Sequence, residues 1–287
     1  MSTPIVSTPI GSTAGAPLIQ DQVASMLVEP LQAASVILGS GATVFNSSAP
    51  LRIPTIGAAS DLSWVGENEE IPEATGATFG EIELMPTSRK SIKTIVRVSN
   101  ALIRMASTGV SAVLQRRIVA DVRDKLDTAL LVGDGTDDTV TGLLSQSDLT
   151  AMPYDVADPD TLLDALAALA ADEVTATKFI MNGADFFALR KLKDSDGRGL
   201  LQADLSGDAV YRLHGVPVIV TNKLPAGKAI AADMSAVAVV RDEDAQITLD
   251  KSRYLEFDQT AIRVTTRYDL GIIRPEAVVI LDSAVEA

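Results

Sequence analysis

The sequence predicts an α+β fold, and three observations carry that expectation. In STGVSAVLQRRIVADVRDKLDTALLVGDG, residues Val110, Val113, Leu114, Ile118, Val122, Leu126 and Leu130 fall at three- and four-residue steps, the spacing of a long amphipathic helix. Beyond it, helical and extended patterns alternate. The last third, AVAVVRDEDAQITLDKSRYLEFDQTAIRVTTRYDLGIIRPEAVVIL, is crowded with β-branched residues that suit a pleated sheet.

Composition narrows the chemistry. At 287 residues the chain is long enough for one large core or two modest ones, and 47% hydrophobic residues exclude disorder of the whole. A formal charge of -14 argues against a main surface built to bind nucleic acid, which is usually basic. There is no cysteine, so disulfides, thiolate metal sites and cysteine nucleophiles are excluded together. With His214 the one histidine, neither a multi-imidazole zinc site nor an independent Ser-His-Asp triad is available, and its place before Gly215 and Pro217 reads as a turn or strand edge. No base precedes Arg52 and no apolar run approaches about 18 residues, so the expectation is a cytosolic chain with no signal peptide or membrane span.

In chain order, residues 1–17 (MSTPIVSTPIGSTAGAP) carry no charge and suit an extended arm or disorder. LIQDQVASMLVEPLQAASVIL reads as a short helix interrupted near Pro30. LRIPTIGAASDLSWV reads as strand material broken by Pro54 and Gly57; residues 61–83 then hold seven acids and no base. MPTSRKSIKTIVRVSN alternates apolar and polar residues in a strand bearing Arg89, Lys90, Lys93 and Arg97. Together these arms predict a long hairpin, too poor in large apolar residues to be stable unless packed on something else. The long helix starts near Ser107 or Thr108, sets Arg117/Asp121, Asp121/Lys125 and Arg123/Asp127 at i,i+4 spacing on a solvated face, and stops at Gly133 as a C′ glycine. Asp158-Pro159-Asp160 caps a helix (TLLDALAALAAD), KFIMN is a strand, GADFFALRKLKDSDGRGL a helix with a glycine-rich end, and HGVPVIVTNKLP a strand ending at Pro225. The final β-rich third contains an Asp-rich turn.

Two stretches invite a functional reading. GDGTDDTVTGLL lacks the lysine of a phosphate loop, follows a helix instead of a strand, and has neither the alternate acids nor the distal Glu of an EF-hand; it reads as a turn. The cluster Glu67, Glu69, Glu70 and Glu73 admits three readings: a general acid and base in a cleft, a solvated acidic surface, or a partner for basic residues of another copy. The bases concerned are Arg89, Lys90, Lys93 and Arg97 on the strand and Arg116, Arg117 and Arg123 on the helix, within residues 89–125, a stretch that holds nine Lys/Arg in all and two Asp.

WVGENEEIPEA, FGEIELMPTSRKSIKTIVRVSNALI, the helix running into LLVGDGTDDTVTGLL, FIMNGADFFALRKLKDSDGRGL and HGVPVIVTNKLP, in that order, resemble tailed-bacteriophage major capsid proteins of the Hong Kong-type fold. The resemblance covers the chain from about Trp64 onward. It implies an N-terminal arm with a short helix (1–52), an E-loop (53–97), a peripheral domain containing a spine helix (98–141 and 235–287) and an axial domain (142–234). It further implies pentamers and hexamers of one chain, an icosahedral container for double-stranded DNA, and assembly in the host bacterial cytoplasm into the virion. A portal protein and a cement protein are partners of such shells, and an arm starting directly after Met1 implies that any scaffold is a separate protein. No enzyme activity, metal or cofactor is implied. Some relatives join an E-loop lysine to a peripheral-domain asparagine. Lys90 and Lys93 are possible donors, but no asparagine follows Asn222 and only an aspartate such as Asp258 could substitute, so no cross-link is expected. The alternatives are an encapsulin shell of the same fold and, from another class, a carboxylate-dependent hydrolase using Glu67 or Glu70.

Overall fold

The computed structural model describes residues 35–47, 49–56, 66–67, 79–85, 91–100, 108–136, 139–193 and 211–285. Twelve strands are found among them: β1 (Thr43–Asn46), β2 (Leu51–Ile56), β3 (Phe79–Leu84), β4 (Ile92–Ser99), β5 (Thr150–Pro153), β6 (Lys178–Met181), β7 (Arg212–Leu213), β8 (Val216–Val220), β9 (Lys228–Ala232), β10 (Val237–Tyr254), β11 (Gln259–Ile272) and β12 (Val278–Asp282). Helix α1 spans Thr108–Val132, α2 Asp160–Ala171 and α3 Gly183–Arg190. A four-stranded sheet has the order β1-β10-β11-β4, a six-stranded sheet the order β5-β12-β9-β6-β8-β7, and β2-β3 form a two-stranded ribbon.

Period-two alternation decides what each sheet face covers. On the six-stranded sheet, Phe179, Met181, Ala229, Ala231, Val279 and Leu281 pack with Leu162, Ala165 and Leu169 of α2 and Phe186 and Leu189 of α3. Their neighbours Ile180, Ile230, Ala232 and Val278 belong to a second core, shared with Leu126, Leu130 and Leu131 of α1 and with Val237, Val239, Tyr268, Leu270 and Ile272 of the four-stranded sheet. Ala238 and Val240, on the other face of β10, pack with buried Leu84 and Met85 at the base of the β2–β3 ribbon. Helix α1 is about 37 Å long; Val122, Leu126 and Leu130 are buried, as the spacing predicts, Val119 and Leu131 are buried with them, and the side chains of Val110, Val113, Leu114 and Ile118 lie outside the described residues.

Capping follows the expected chemistry where the sequence signals it. The Asp158 carboxylate accepts from the Asp160 amide (3.0 Å) at the start of α2, and the Asn182 side chain accepts from the Ala184 amide (2.8 Å) at the start of α3. His214 (φ 49°) and Gly215 (φ 83°) form the two-residue connection of the β7–β8 hairpin, which agrees with reading that histidine as a turn residue.

Several expectations are corrected. Pro54 does not break a strand: it lies inside β2, opposite Glu81, in a ribbon whose outer edge needs no donor from it. Among the described residues, the strand after Met85 does not close the hairpin. Instead β2 pairs β3, while β4 pairs β11 along eight residues, Gln259↔Ser99 to Thr266↔Ile92. Nor is the ribbon apolar-poor at its base, since Leu84 and Met85 are 3% and 4% exposed. The Asp-rich stretch after Arg241 is no turn; it lies within β10, whose register against β11 shifts there, and the chain reverses at Leu255–Asp258. Strand β8 ends at Val220, before the expected Pro225. Of residues 235–287, β10 and β11 share a core with the long helix, while β12 lies between β5 and β9 in the six-stranded sheet.

Gly133 and Asp127 are corrected as well. The Gly133 amide still bonds the Ala129 carbonyl (3.0 Å), and a Cβ at Gly133 would fall on the Val140 carbonyl oxygen, so glycine is required by close approach of the returning chain and not by a left-handed cap. Asp127 is not on a solvated face paired with Arg123: it is 2% exposed. The arm (1–17), most of the helix expected over 18–38, Ser107 and DSDGRG lie outside the described residues; the described end of that helix, Ser35–Ser40, is a hydrogen-bonded turn.

Candidate functional site

The turn after α1 is shaped by its own side chains. Asp134 accepts from the Thr136 amide (3.0 Å), the Thr136 hydroxyl (2.7 Å) and the Thr139 hydroxyl (3.0 Å), and the Gly142 amide bonds the Gly133 carbonyl at 2.7 Å. Those donors, the Thr136 hydroxyl first, hold the Asp134 carboxyl down at about 2. Its oxygens are used for shaping a loop, which agrees with the turn reading. Among the described residues no group of three His, Cys, Asp or Glu could hold a metal ion, and no helix is long and apolar enough to cross a membrane.

The charged residues singled out in the sequence fall into three sets. Glu67 is exposed, while Glu69, Glu70 and Glu73 lie outside the described residues, as do Arg89, Lys90 and the side chain of Arg116. On α1, Arg117 pairs with Asp121 at 3.1 Å, as the i,i+4 spacing predicts, but Arg123 turns to Asp124 (2.9 Å). Asp124 also receives Lys223 (3.2 Å), which ties α1 to the chain leaving β8. The Arg123 hydrogen bond is the main cause of the lowered pKa of Asp124. Lys93 and Arg97, in contrast, are exposed on β4, the edge strand of its sheet.

Lys93, Ile95 and Arg97 alternate onto one face of β4, where Arg263 of β11 stands opposite Ile95. The Arg97 guanidinium lies 4.4 Å from the centre of the Tyr254 ring, and Arg253 lies 5.8 Å from it. Beyond them, Phe257 at the β10–β11 reversal is 65% exposed, and Ile95 is 46% exposed. Asp258, in the same reversal, accepts from the Asn100 side-chain amide at 2.7 Å. The sequence reading named Lys93 and Arg97 but missed Arg253, Tyr254, Phe257 and Arg263. The alternation in QTAIRVTTRY was a signal for Arg263, whereas nothing local announces that Tyr254 meets Arg97 from a distant strand.

A second device is built around Asp127. Its Oδ1 accepts from the Ser35 hydroxyl (2.6 Å), and both oxygens accept from the Val36 amide (3.1 Å each). This fastens the segment entering β1 to α1. Burial pushes the carboxyl up against the downward pull of Ser35, Val36, Arg123 and Lys223.

These surfaces and fasteners, with no catalytic constellation among the described residues, fit a protein whose work is contact with other copies, and comparison with known proteins points the same way. The curated major capsid protein of Klebsiella oxytoca phage phiKO2 is 24% identical over 303 residues, covering 96% of this chain and 69% of that protein. The fold is that of the capsid of a native GTA particle computed with C5 symmetry, with TM-score 0.71, 19% identity, and coverage of 98% of this chain and 100% of that one. It is also that of a chain of Gordonia phage Cozz, with TM-score 0.64, 15% identity, and coverage of 100% and 98%. The Phage capsid family pattern matches residues 15–283, so that ribbon, long helix and both sheets fall within one match, and this chain belongs to the Phage capsid family.

Proposed function

We propose that this chain is the major capsid protein of a phage head, in which pentamers and hexamers of one polypeptide close an icosahedral shell around double-stranded DNA. The observation that carries the reading is the family match over residues 15–283, joined to an architecture in which, among the described residues, the β2–β3 ribbon packs on β10 through Leu84 and Met85 at its base. A ribbon of this kind stabilises little by itself and gains its burial against a neighbour. In this reading α1 and the four-stranded sheet form the peripheral domain, β2–β3 the base of the E-loop, and the six-stranded sheet with α2 and α3 the axial domain. The acids Glu67, Glu69, Glu70 and Glu73 contact a neighbouring copy. The chain performs no catalysis: many weak contacts sum over a closed symmetric assembly. A separate scaffolding protein, a portal protein and a cement protein are its proposed further partners, and host cytoplasm its place of assembly.

The test is nuclease challenge of particles purified from infected or induced cells. Shells that protect double-stranded DNA and release it on disruption support the phage-head reading. Shells of the same protein holding a folded enzyme and no DNA would replace it with a nanocompartment.

A further inference from the structure

We propose that Asp269 is a positioning residue for the β2–β3 ribbon: its carboxylate pins Met85 and so sets the direction in which the ribbon stands off the subunit. The consequence for assembly rests on the shell reading above. Met85 directly follows Leu84, the last paired residue of the ribbon, which lies opposite Leu51. It has a positive φ of 57° and is 4% exposed. A long, non-glycine side chain keeps this left-handed conformation only where its surroundings hold it there. Pro86 follows in the sequence and narrows the available dihedral angles further. The holding group comes from β11. The Met85 amide donates to Asp269 Oδ2 at 2.7 Å, while Oδ1 of the same carboxylate accepts from the Leu270 amide at 3.0 Å, so the acceptor is itself oriented by its own strand. A hydrogen bond to an ionised carboxylate is shorter and stronger than one between neutral groups.

The same face of β11 supplies the seat. Asp269 and Gly271 share that face by period-two alternation. A Cβ at Gly271 would meet Leu84 Cδ2 at 2.5 Å and Ile82 Cγ2 at 3.2 Å, so β3 comes this close only over bare backbone. Ala238 and Val240 of β10, opposite Gly271 and Asp269, complete an apolar floor under Leu84 and Met85. Apolar contact is non-directional: the floor holds the ribbon down, and the bond from Met85 to Asp269 fixes its angle. The ribbon then acts as a lever. Its paired length, Leu51–Ile56 against Phe79–Leu84, is about 20 Å, so a tilt of about 10° at the base moves the far end by about 3 Å. A displacement of that size breaks hydrogen bonds made at the far end.

The chain has no cysteine, so labels can be placed at chosen sites only. Glu81→Cys on the ribbon and Lys125→Cys on α1, both exposed, carry spin labels, and pulsed electron paramagnetic resonance of the unassembled full-length subunit reads the distance between them. With Asp269 intact the distance should be single and narrow. Asp269→Asn, which keeps an acceptor oxygen, should preserve it, whereas Asp269→Ala should lose it to a broad distribution. Leu169→Ala, in the core of the six-stranded sheet, should lower the melting temperature and leave the distance narrow. Shells of Asp269→Ala should vary in diameter by electron microscopy, while those of Asp269→Asn stay uniform. Hydrogen exchange on the wild type needs no variant to fold: the Met85 amide should be protected like the strand amides beside it.

A narrow distance in Asp269→Ala, an equal broadening in Leu169→Ala, or fast exchange at Met85 overturns the proposal. Uniform shells from an Asp269→Ala subunit whose distance is broad overturn its consequence for assembly. A wild type that forms no shells under any condition would sink the shell reading instead, and the subunit distances would still decide the role of Asp269.

Discussion

Replacing Asp127 with alanine removes the acceptor for two donors at once and leaves the Ser35 hydroxyl and Val36 amide without it, in a pocket where Ser35 is 3% exposed and Asp127 2% exposed. Each buried donor left unpaired costs about 1–3 kcal/mol, and relief of the buried charge offsets part of this, so a net loss of about 2–4 kcal/mol is expected. Asp127→Asn keeps one acceptor oxygen and should cost roughly half as much. The pH dependence gives a second readout. Because burial raises the folded carboxyl above its ordinary value of 3.8, the folded state holds this proton more tightly than the unfolded chain. Its stabilising contribution is complete below the ordinary value and is lost as pH rises through the raised one. The stability difference between wild type and Asp127→Asn should therefore shrink across that interval as pH increases. The assay is urea unfolding of the unassembled subunit by circular dichroism, at several pH values, with the exposed Asp121→Ala as control. A change for Asp127→Ala within about 0.5 kcal/mol of that control would refute the fastening role.

Gly133→Ala places a methyl group on the Val140 carbonyl oxygen and 2.5 Å from that of Ala129, so it should cost about 3 kcal/mol or more in the same unfolding assay. Leu84→Ala, at a site 3% exposed, should cost about 2–4 kcal/mol and make the ribbon base the first site of limited proteolysis; cleavage first at another site would contradict the packing described. Phe257→Ser, at a site 65% exposed, should leave subunit stability within about 0.5 kcal/mol while lowering shell yield measured by light scattering.

What the sequence revealed, and what it hid, follows from the range of each interaction. The α1 stripe of Val122, Leu126 and Leu130 was legible because its periodicity is local, and the Asp158 cap acts within two residues of itself. Pairing partners were not legible: the alternation in IKTIVRVS announces a strand but does not say that Arg97 lies opposite Ala261 instead of continuing the acidic hairpin. Asp127 carried the spacing of a surface ion pair, and only the arrival of Ser35 from 92 residues away makes it a buried fastener. For the same reason Gly133 looked like a helix stop when it is a point of close approach to Val140. Among the candidate site residues, Lys93 and Arg97 were visible as a basic strand, but the field that distinguishes them from Arg117 and Arg123 depends on which carboxylates the fold brings near.

The central claim, that this chain builds a closed shell, is tested most directly by electron microscopy of the purified protein with light scattering on the same sample. The account predicts uniform icosahedral particles on the order of tens of nanometres across, or discrete pentamers and hexamers that close when a scaffold is added. A monodisperse monomer that never assembles, even with candidate scaffold, would contradict it.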